Sequence, residues 1–396
     1  MAGATSSKSY EAIGNREDLT NIITNISPLD TYLVNRIGKA KVKGTKHEWQ
    51  TETLAPAQKN AVKEITDYGM KETRTRKRIY NEVQNFIKEY YVSETQEAVD
   101  KAGISSEIAH QRVNTYKTLN KDMEFGILSN DNIVTGDDAT APEMGGIKYW
   151  HSEFNNNKQF NIKTSAAGLA PTGVIVLSGT DHKIQDGDIV SVYKDTVTLT
   201  GDLKTNTIYY ARVNPLNRGQ IALFLNSKDV LLDPVFPGSK AVKTAFANVF
   251  WVSLCNIVDA GNAPLTEDLF SNMMFKIARQ GGTQFEALVG GKNKREISKW
   301  TTGVQKTQDA KENRKVEKID IYESDFGIVS ITFHPLQDED RVDFIDTSRI
   351  KLGTLLDFKE THVGKKGTYE QFAITGSVTI QYDIPQSGGT ILNIKN

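Results

Sequence analysis

The sequence predicts a mixed helix-and-strand protein with an α/β or α+β core, and three observations support this class. Apolar side chains recur every three or four residues from Ser105 to Ser129, which predicts a long helix. Residues 164–256 are rich in Val, Ile, Thr and Gly, with alternating stretches around Asp-Gly and Asn-Arg-Gly turns, which predicts a β-rich module. From residue 257 onward helical and strand-like stretches alternate, so both element types contribute to the core.

Composition narrows the class of protein before any motif is considered. The chain has 396 residues, a formal net charge of -1 and 38% hydrophobic residues, which is enough for two or three structural units. No apolar run approaches the roughly 20 residues that a membrane-spanning helix needs, and the first residues lack the apolar core of a secretory signal. Cys255 is the single cysteine, which excludes a disulfide framework within one chain. We expect a protein of a reducing interior with no membrane partner.

The segment NISPLDTYLVNRIG, residues 25–38, predicts a short amphipathic helix. Pro28 suits the first turn, where its missing N–H costs nothing. Gly38 follows the last apolar residue, in the position that a left-handed cap favours. The side chains that share the apolar face are Leu29, Tyr32, Leu33 and Ile37.

Two strand-like stretches follow, Thr45–Thr51 and Ile79–Val92, separated by polar residues that cannot build a core. This spacing predicts an extended hairpin that projects from a body. Two basic clusters lie beside and within it: Arg36, Lys39, Lys41, Lys43 and Lys46, then Lys71, Arg74, Arg76, Lys77 and Arg78. They are either a solvated face or a surface for ionic contact with neighbouring copies or packaged nucleic acid.

The next two elements are predicted helices. Ser93 and Gln96 form a capping box before a helix that ends at Gly103. The long helix 105–129 has one apolar face, and its polar face, which includes Glu124, is expected to meet solvent or a neighbour.

The last zone begins with a helix that Thr266 caps and that the pair Gly281–Gly282 ends. A short strand FEALVGG and a helix in KNKREISKW come next. Four strands are then predicted in the stretches KIDIY, IVSITFHP, RVDFID and ITGSVTIQYDI.

The sequence contains no convincing catalytic, cofactor or metal site. Its six histidines are scattered, and His47–Glu48 lacks the second ligand of a zinc motif. VGGKNK fails as a phosphate-binding loop at both ends. Cys255 lies in an apolar run, where a buried structural thiol is expected, and the Asp-Gly turn accounts for the carboxylates of DHKIQDGD without a metal. We therefore expect a protein that is not an enzyme and has no cofactor.

A family resemblance emerges from the order of the elements. The chain resembles one branch of the tailed-bacteriophage major capsid proteins in four consecutive features. These are the stretch GNREDLTNIITNISPLDTYLVNRIGKAKVKGTKHEWQTETL, the stretch SETQEAVDKAG, the long helix and the stretch GGIKYW. The resemblance covers residues 11–160 and 257–396. Tyr32 stands where the family commonly has Pro. The family implies an α+β fold of the Hong-Kong-97 type. The β-rich module at 164–256 departs from the family, and we expect it to be an inserted domain.

The resemblance also implies a division of the chain. The expected parts are an N-terminal arm 1–40, an extended loop 41–92, a peripheral domain 93–163 with the spine helix 105–129, an inserted β-rich domain 164–256, an axial domain 257–340, and return strands of both domains 341–396.

The family implies self-assembly into an icosahedral head shell that encloses double-stranded DNA. Copies would form hexamers and pentamers of a virion capsid assembled in the host cytoplasm. The implied partners are a portal, a separate scaffold protein and packaged DNA, which the protein would contact non-specifically. A decoration protein is a further candidate. The residues expected at inter-subunit contacts are Leu29, Tyr32, Leu33, Ile37, Arg36, Lys39, Lys41, Arg74, Arg76 and Arg78. An encapsulin-like bacterial compartment of the same fold is the alternative.

Overall fold

The structure, a computed structural model, describes residues 31–52, 61–65, 76–99, 105–151, 174–176, 184–193, 200–201, 204, 207–230, 235–242, 244–245, 251–253, 256–282, 284–300 and 321–395. Within these residues the helices are α1 (Tyr32–Arg36), α2 (Glu94–Ala98), α3 (Glu107–Ser129), α4 (Ile147–His151), α5 (Glu267–Arg279) and α6 (Gly291–Lys299). The strands are β1 (Gly38–Lys41), β2 (Lys46–Thr51), β3 (Lys77–Glu82), β4 (Gln84–Ser93), β5 (Ile175–Val176), β6 (Ile189–Tyr193), β7 (Thr200–Gly201), β8 (Ile208–Val213), β9 (Gln220–Phe224), β10 (Thr244–Ala245), β11 (Trp251–Ser253), β12 (Asn256–Ala263), β13 (Gln284–Val289), β14 (Ile321–Ser324), β15 (Gly327–Phe333), β16 (Val342–Ile345), β17 (Ile350–Lys366), β18 (Tyr369–Tyr382) and β19 (Gly389–Ile394).

The first sheet, which we call the spine sheet, has the strand order β1-β17-β18-β4. β17 and β18 form a long antiparallel hairpin, β4 pairs with β18, and β1 pairs in parallel with the beginning of β17. Helix α3 packs on the sheet, and Leu119, Met123 and Ile127 join Phe86 and Ile374 in one hydrophobic core. The predicted long helix is confirmed with a start at Glu107, after the N-cap Ser106.

The second sheet, which we call the axial sheet, is mixed and has the order β12-β19-β16-β13-β15-β14. Helix α5 buries Phe270, Met273 and Ile277 against it. The helix begins where the sequence predicted, because the Thr266 hydroxyl accepts a hydrogen bond from the Leu269 N–H at 3.4 Å. It ends at Arg279, two residues before Gly281, whose φ of +88° suits glycine.

A third sheet, β11-β6-β8-β9-β5, is antiparallel throughout and has its own core around Tyr209, Ile221 and Leu223. We call it the β-rich unit. The predicted Asp-Gly turn is confirmed at its entrance, since the Asp188 carboxylate accepts from the Gln185 N–H at 2.9 Å and Gly187 has a φ of +79°. The described residues contain no group of three His, Cys, Asp or Glu side chains that could hold a metal. None of the described helices is long and apolar enough to cross a membrane.

The predicted long strand Ile79–Val92 is in fact two strands with different partners. β3 pairs with β2 in the hairpin, whereas β4 lies in the spine sheet, so the extended loop predicted for 41–92 includes a strand of the body. The pairing changes at Val83, which belongs to neither strand, and the buried apolar positions change there from odd numbers (79 and 83) to even numbers (86, 90 and 92). The base of the hairpin is fixed to the body, because the Trp49 indole N–H donates to the Tyr382 carbonyl at 3.1 Å.

Two predicted helix ends in the first half also differ from the structure. Gly38 does not cap the arm helix, because the helix ends at Arg36, Ile37 already has extended backbone and Gly38 begins β1. Ser93 caps α2 as predicted, by accepting from the Gln96 N–H, but α2 ends at Ala98 and the predicted end at Gly103 lies outside the described residues. The sequence also missed β17 and β19, which complete the spine and axial sheets.

Gly388 marks the tightest packing near the C-terminus. A Cβ atom there would collide with the Tyr382 hydroxyl and approach His151 Nε2 to 2.6 Å and the Phe344 carbonyl oxygen to 2.8 Å. All three neighbours belong to buried residues, so they have little freedom to move.

We predict that Gly388→Ala destabilises the chain by about 2 kcal/mol, the order expected for overpacking a filled core. Gly44→Ala is the matched control, since the nearest atom to its added Cβ is a carbonyl oxygen at 3.7 Å. Urea unfolding of both variants measures the difference. Equal stability of the two variants would contradict this account of the packing.

Candidate assembly site

The arm helix α1 has no side-chain cap of its own. Its N-cap residue, Thr31, makes no capping hydrogen bond, and a five-residue helix is not stable alone. The cap comes instead from Glu124 of the spine helix α3. One Glu124 oxygen accepts from the Leu33 N–H at 2.8 Å and the other from the Val34 N–H at 3.0 Å. The carboxylate thus satisfies two of the free amides at the start of α1 and suits the positive end of the helix.

His334 is the third partner of the Glu124 carboxylate. Its Nε2 lies 2.8 Å from Glu124 Oε1, and its Nδ1 accepts from the Leu336 N–H at 3.2 Å. Since Nδ1 accepts, the proton of a neutral ring is on Nε2, which donates to the carboxylate. Both side chains are almost fully buried, with relative exposures of 2%. This cluster, which we call the Glu124 clasp, joins the arm helix, the spine helix and the turn after β15.

A second contact fixes α1 to the axial sheet. One carboxylate oxygen of Glu286 on β13 accepts a hydrogen bond from the Tyr32 hydroxyl at 2.7 Å. The other oxygen forms a salt bridge with the Arg36 Nε at 2.9 Å. The Tyr32 hydroxyl is also 3.3 Å from the Thr332 hydroxyl. Burial, together with the neighbouring Glu286 carboxylate, raises the pKa of Tyr32 above its ordinary value. Tyr32 therefore stays a neutral donor near neutral pH.

The predicted assembly residues fall into three groups. Leu33 and Ile37 are buried in the core of their own chain, at 0% and 5% exposure. This differs from the expectation that they dock on a neighbouring copy, because a fully buried side chain has no surface left to offer. Tyr32 and Arg36 bind Glu286 of the same chain.

The remaining basic residues are exposed where they are described. Lys39 and Lys41 lie on the edge strand β1. In the hairpin, Arg76 lies 3.4 Å from Glu52 and Arg78 lies 3.4 Å from Glu48, both in exposed pairs. Leu29 and Arg74 lie outside the described residues. A role of the exposed residues between subunits stays a prediction.

The sequence prediction missed Glu124, Glu286 and His334. Glu124 was placed on the polar face of the spine helix, yet it is 1% exposed. A signal was present, since Glu124 lies three residues before Ile127 and four before Leu128, both of which are buried. Nothing in the sequence links Glu124 to an arm helix 90 residues away.

A second buried polar cluster lies where the axial sheet meets the spine sheet. Asp343 accepts from Arg341 through both oxygens, at 2.8 and 2.5 Å, and from Gln337 at 2.7 Å. The His151 Nδ1 lies 2.9 Å from the same carboxylate, and its Nε2 lies 3.4 Å from the Tyr382 hydroxyl. All of these side chains are buried. Burial alone would raise the pKa of Asp343, but Arg341 and His151 hold it well below its usual range.

Comparison with known proteins identifies the family. A sequence model of the SU10 major capsid protein family matches residues 4–395. The chain belongs to the SU10 major capsid protein family. The match runs through the β-rich unit as well as the spine and axial sheets. It favours the capsid interpretation over the encapsulin-like alternative, and it implies a structural role.

A curated relative agrees with this family. The major capsid protein of Escherichia phage Phieco32 is 27% identical over 182 residues, which are 43% of this chain and 50% of that protein. The chain therefore matches about half the length of this curated relative.

Solved capsids share the fold at low sequence identity. The capsid of Cyanophage A-1(L) gives a TM-score of 0.56 at 10% identity, covering 96% of this chain and 98% of that one. The capsid of a native GTA particle gives 0.51 at 9% identity, covering 98% and 97%. The expected α+β fold of the Hong-Kong-97 type is confirmed.

We predict that Glu124→Ala destabilises the chain by about 3 kcal/mol or more, since it leaves two amides and the His334 N–H buried without an acceptor. Hydrogen exchange at 32–37 should rise in parallel. Asp122→Asn is the control on the same helix, because Asp122 pairs with Lys88 at the surface and such pairs contribute below about 1 kcal/mol. Unchanged exchange at 32–37 in the Glu124→Ala variant would contradict the capping role.

The lowered pKa of Asp343 gives a pH prediction. The stabilisation by the ionised Asp343 carboxylate is complete at pH values above about 3.8, the pKa of this group in the unfolded chain. The stabilisation decreases as the pH falls below that value. At pH 7 Asp343→Asn should cost about 3 kcal/mol or more, as expected for breaking a buried ion pair. Below pH 4 the wild-type advantage should shrink by about 1.4 kcal/mol per pH unit. Urea unfolding at pH 7, 5 and 3 tests this, with the surface variant Asp338→Asn as control. An advantage that grows below pH 4 would contradict it.

Proposed function

We propose that this major capsid protein assembles, as hexamers and pentamers, into the icosahedral head shell around the double-stranded DNA of a tailed phage. The match of nearly the whole chain to a capsid family carries the proposal. The proposed place of action is the virion, after assembly in the host cytoplasm. A portal, a separate scaffold protein and non-specific DNA contact complete the proposed set of partners, with a decoration protein as a further candidate.

The arm contributes to assembly from a fixed starting point in this proposal. The Glu124 clasp and Glu286 hold residues 32–36 on the body of their own chain. The 30 residues before Thr31 are then attached at a rigid position and can extend to a neighbouring copy. Contacts of this kind add to obligate interfaces, which commonly exceed about 2,000 Å².

The exposed basic residues supply the electrostatic part of the proposed interface. Four basic side chains are exposed: Lys39 and Lys41 on β1, Arg78 on β3, and Arg76 just before β3. The chain as a whole is nearly neutral. Local positive patches on a neutral chain favour contact with acidic patches of identical copies. Such contacts fix orientation and accelerate encounter more than they add affinity.

Two truncations separate folding from assembly. Removal of residues 1–30 should leave the urea midpoint unchanged but abolish shells, because every contact of α1 and β1 with the body is kept. Removal of residues 1–40 should also lower the stability of the chain, because Leu33 and Ile37 leave the core. Gel filtration and negative-stain electron microscopy measure assembly. Intact shells from the 1–30 truncation would contradict the proposed role of the arm.

Charge reversal tests the basic surface. Lys39→Glu with Lys41→Glu should keep the fold and slow shell formation, most strongly at low salt, where exposed charges are least screened. Lys292→Glu with Arg295→Glu is the matched control, since both residues are exposed on α6 and the net charge changes equally. Equal assembly rates for the two double variants would contradict a specific role of the β1 lysines.

A further inference from the structure

Lys276 on α5 is a buried amine in the axial core. Its side chain is 1% exposed and lies on the same helix face as Met273 and Ile277. Its Nζ donates to the Ile257 carbonyl at 3.0 Å. An ammonium group has three N–H donors, and a charged group in an apolar core is costly unless these are satisfied.

The carbonyl that accepts the hydrogen bond from Lys276 lies where two hydrophobic cores meet, at Ile257 and Val258, and we call this place the joint. Ile257 packs into the core of the β-rich unit, whereas the next residue, Val258, packs into the axial core. The Ile257 N–H donates to the Ser191 hydroxyl of β6 at 3.4 Å. One residue, Ile257, thus contacts the β-rich unit through its N–H and α5 through its C=O.

Two residues that follow Lys276, one at the end of α5 and one just after it, reinforce the same joint. Arg279 donates to the Tyr210 hydroxyl of β8 at 2.6 Å, and Gln280 donates to Asn256 at 2.7 Å. Asn256 in turn donates to the carbonyls of Gln386 and Gly388, both at 3.1 Å. Lys276 and Asn256 are both 1% exposed, and of the two only Lys276 has an ionisable side chain.

Charged groups on the elements around α5 are engaged elsewhere. On the strands, Asp259 of β12 accepts from the Gly261 N–H and from Asn393. Glu286 of β13 binds Arg36, and Asp343 of β16 binds Arg341. On α5 itself, Glu267 accepts from the Tyr322 hydroxyl, and Arg279 donates to the Tyr210 hydroxyl. β19 and residues 385–387 carry no charged side chain. Burial, without a compensating charge, lowers the pKa of Lys276 to about 7.

We infer that Lys276 is a proton-sensitive contact that controls how firmly the β-rich unit is attached to the axial domain. The neutral amine fits the joint, whereas the ammonium favours an opened joint in which water reaches it. The sign follows from linkage: the open state binds a proton more readily than the closed state, so opening increases as the pH falls from about 10 towards 7 and then levels off. The orientation of the β-rich unit relative to the axial sheet would then depend on pH.

Hydrogen exchange of the full chain tests this inference. After correction for intrinsic exchange rates, peptides covering 189–193, 208–213 and 256–258 should gain protection by up to tenfold per pH unit between pH 7 and 9. Lys276→Met should remove this slope. Lys276→Gln, which keeps an N–H donor but does not titrate, should do the same and covers the case that the methionine variant fails to fold. Lys294→Met is the control, because Lys294 also donates to a carbonyl, that of Ile331 at 2.7 Å, but is only half-buried.

Two results would overturn the inference. One is a slope that persists in the Lys276 variants or is absent from the wild type. The other is an equal slope in peptides covering 342–345, which would assign the titration to global unfolding and not to the joint.

Discussion

The Glu124 carboxylate is the interaction on which the placement of the arm helix α1 depends. It is buried, it accepts from two amides of α1 and from His334, and no water is needed to satisfy these three donors. A carboxylate in such a site is acceptable only while its partners stay in place. The arm, the spine helix and the turn after β15 therefore keep one relative position, and the spine sheet begins its edge strand β1 directly after the clasped helix.

The same device recurs at two other helices. Glu97 accepts from the Glu107 and Ile108 N–H groups at 2.7 and 3.4 Å and so ties α2 to the start of α3. Glu339 accepts from the Gly291 and Lys292 N–H groups, both at 2.9 Å, and ties the loop before β16 to α6. Each carboxylate caps a helix to which it does not itself belong, so capping here also fixes tertiary structure. A shell subunit benefits from this, because its contact surfaces must keep fixed relative positions.

Local chemistry made much of the fold predictable, and long-range pairing did not. Thr266, Ser93 and Gly281 were identified from capping rules that act within a few residues. The sequence did not predict β17, because part of this strand is exposed on both faces and its side chains do not alternate between buried and exposed. The strand is held in the sheet by its pairing with β18. Glu124 looked like a solvent-facing residue because its partners lie about 90 and 210 residues away. The family could be inferred from phrases of the sequence, but the core position of Leu33 and Ile37 could not.

We conclude that the arm helix is clasped by Glu124 of its own chain. A cryo-electron microscopy map of the assembled particle, with the chain traced continuously from Thr31 to Lys41, tests it most directly. We expect the Leu33 and Val34 amides to meet Glu124 of the same chain in every subunit. An α1 clasped by Glu124 of a neighbouring subunit would contradict the account.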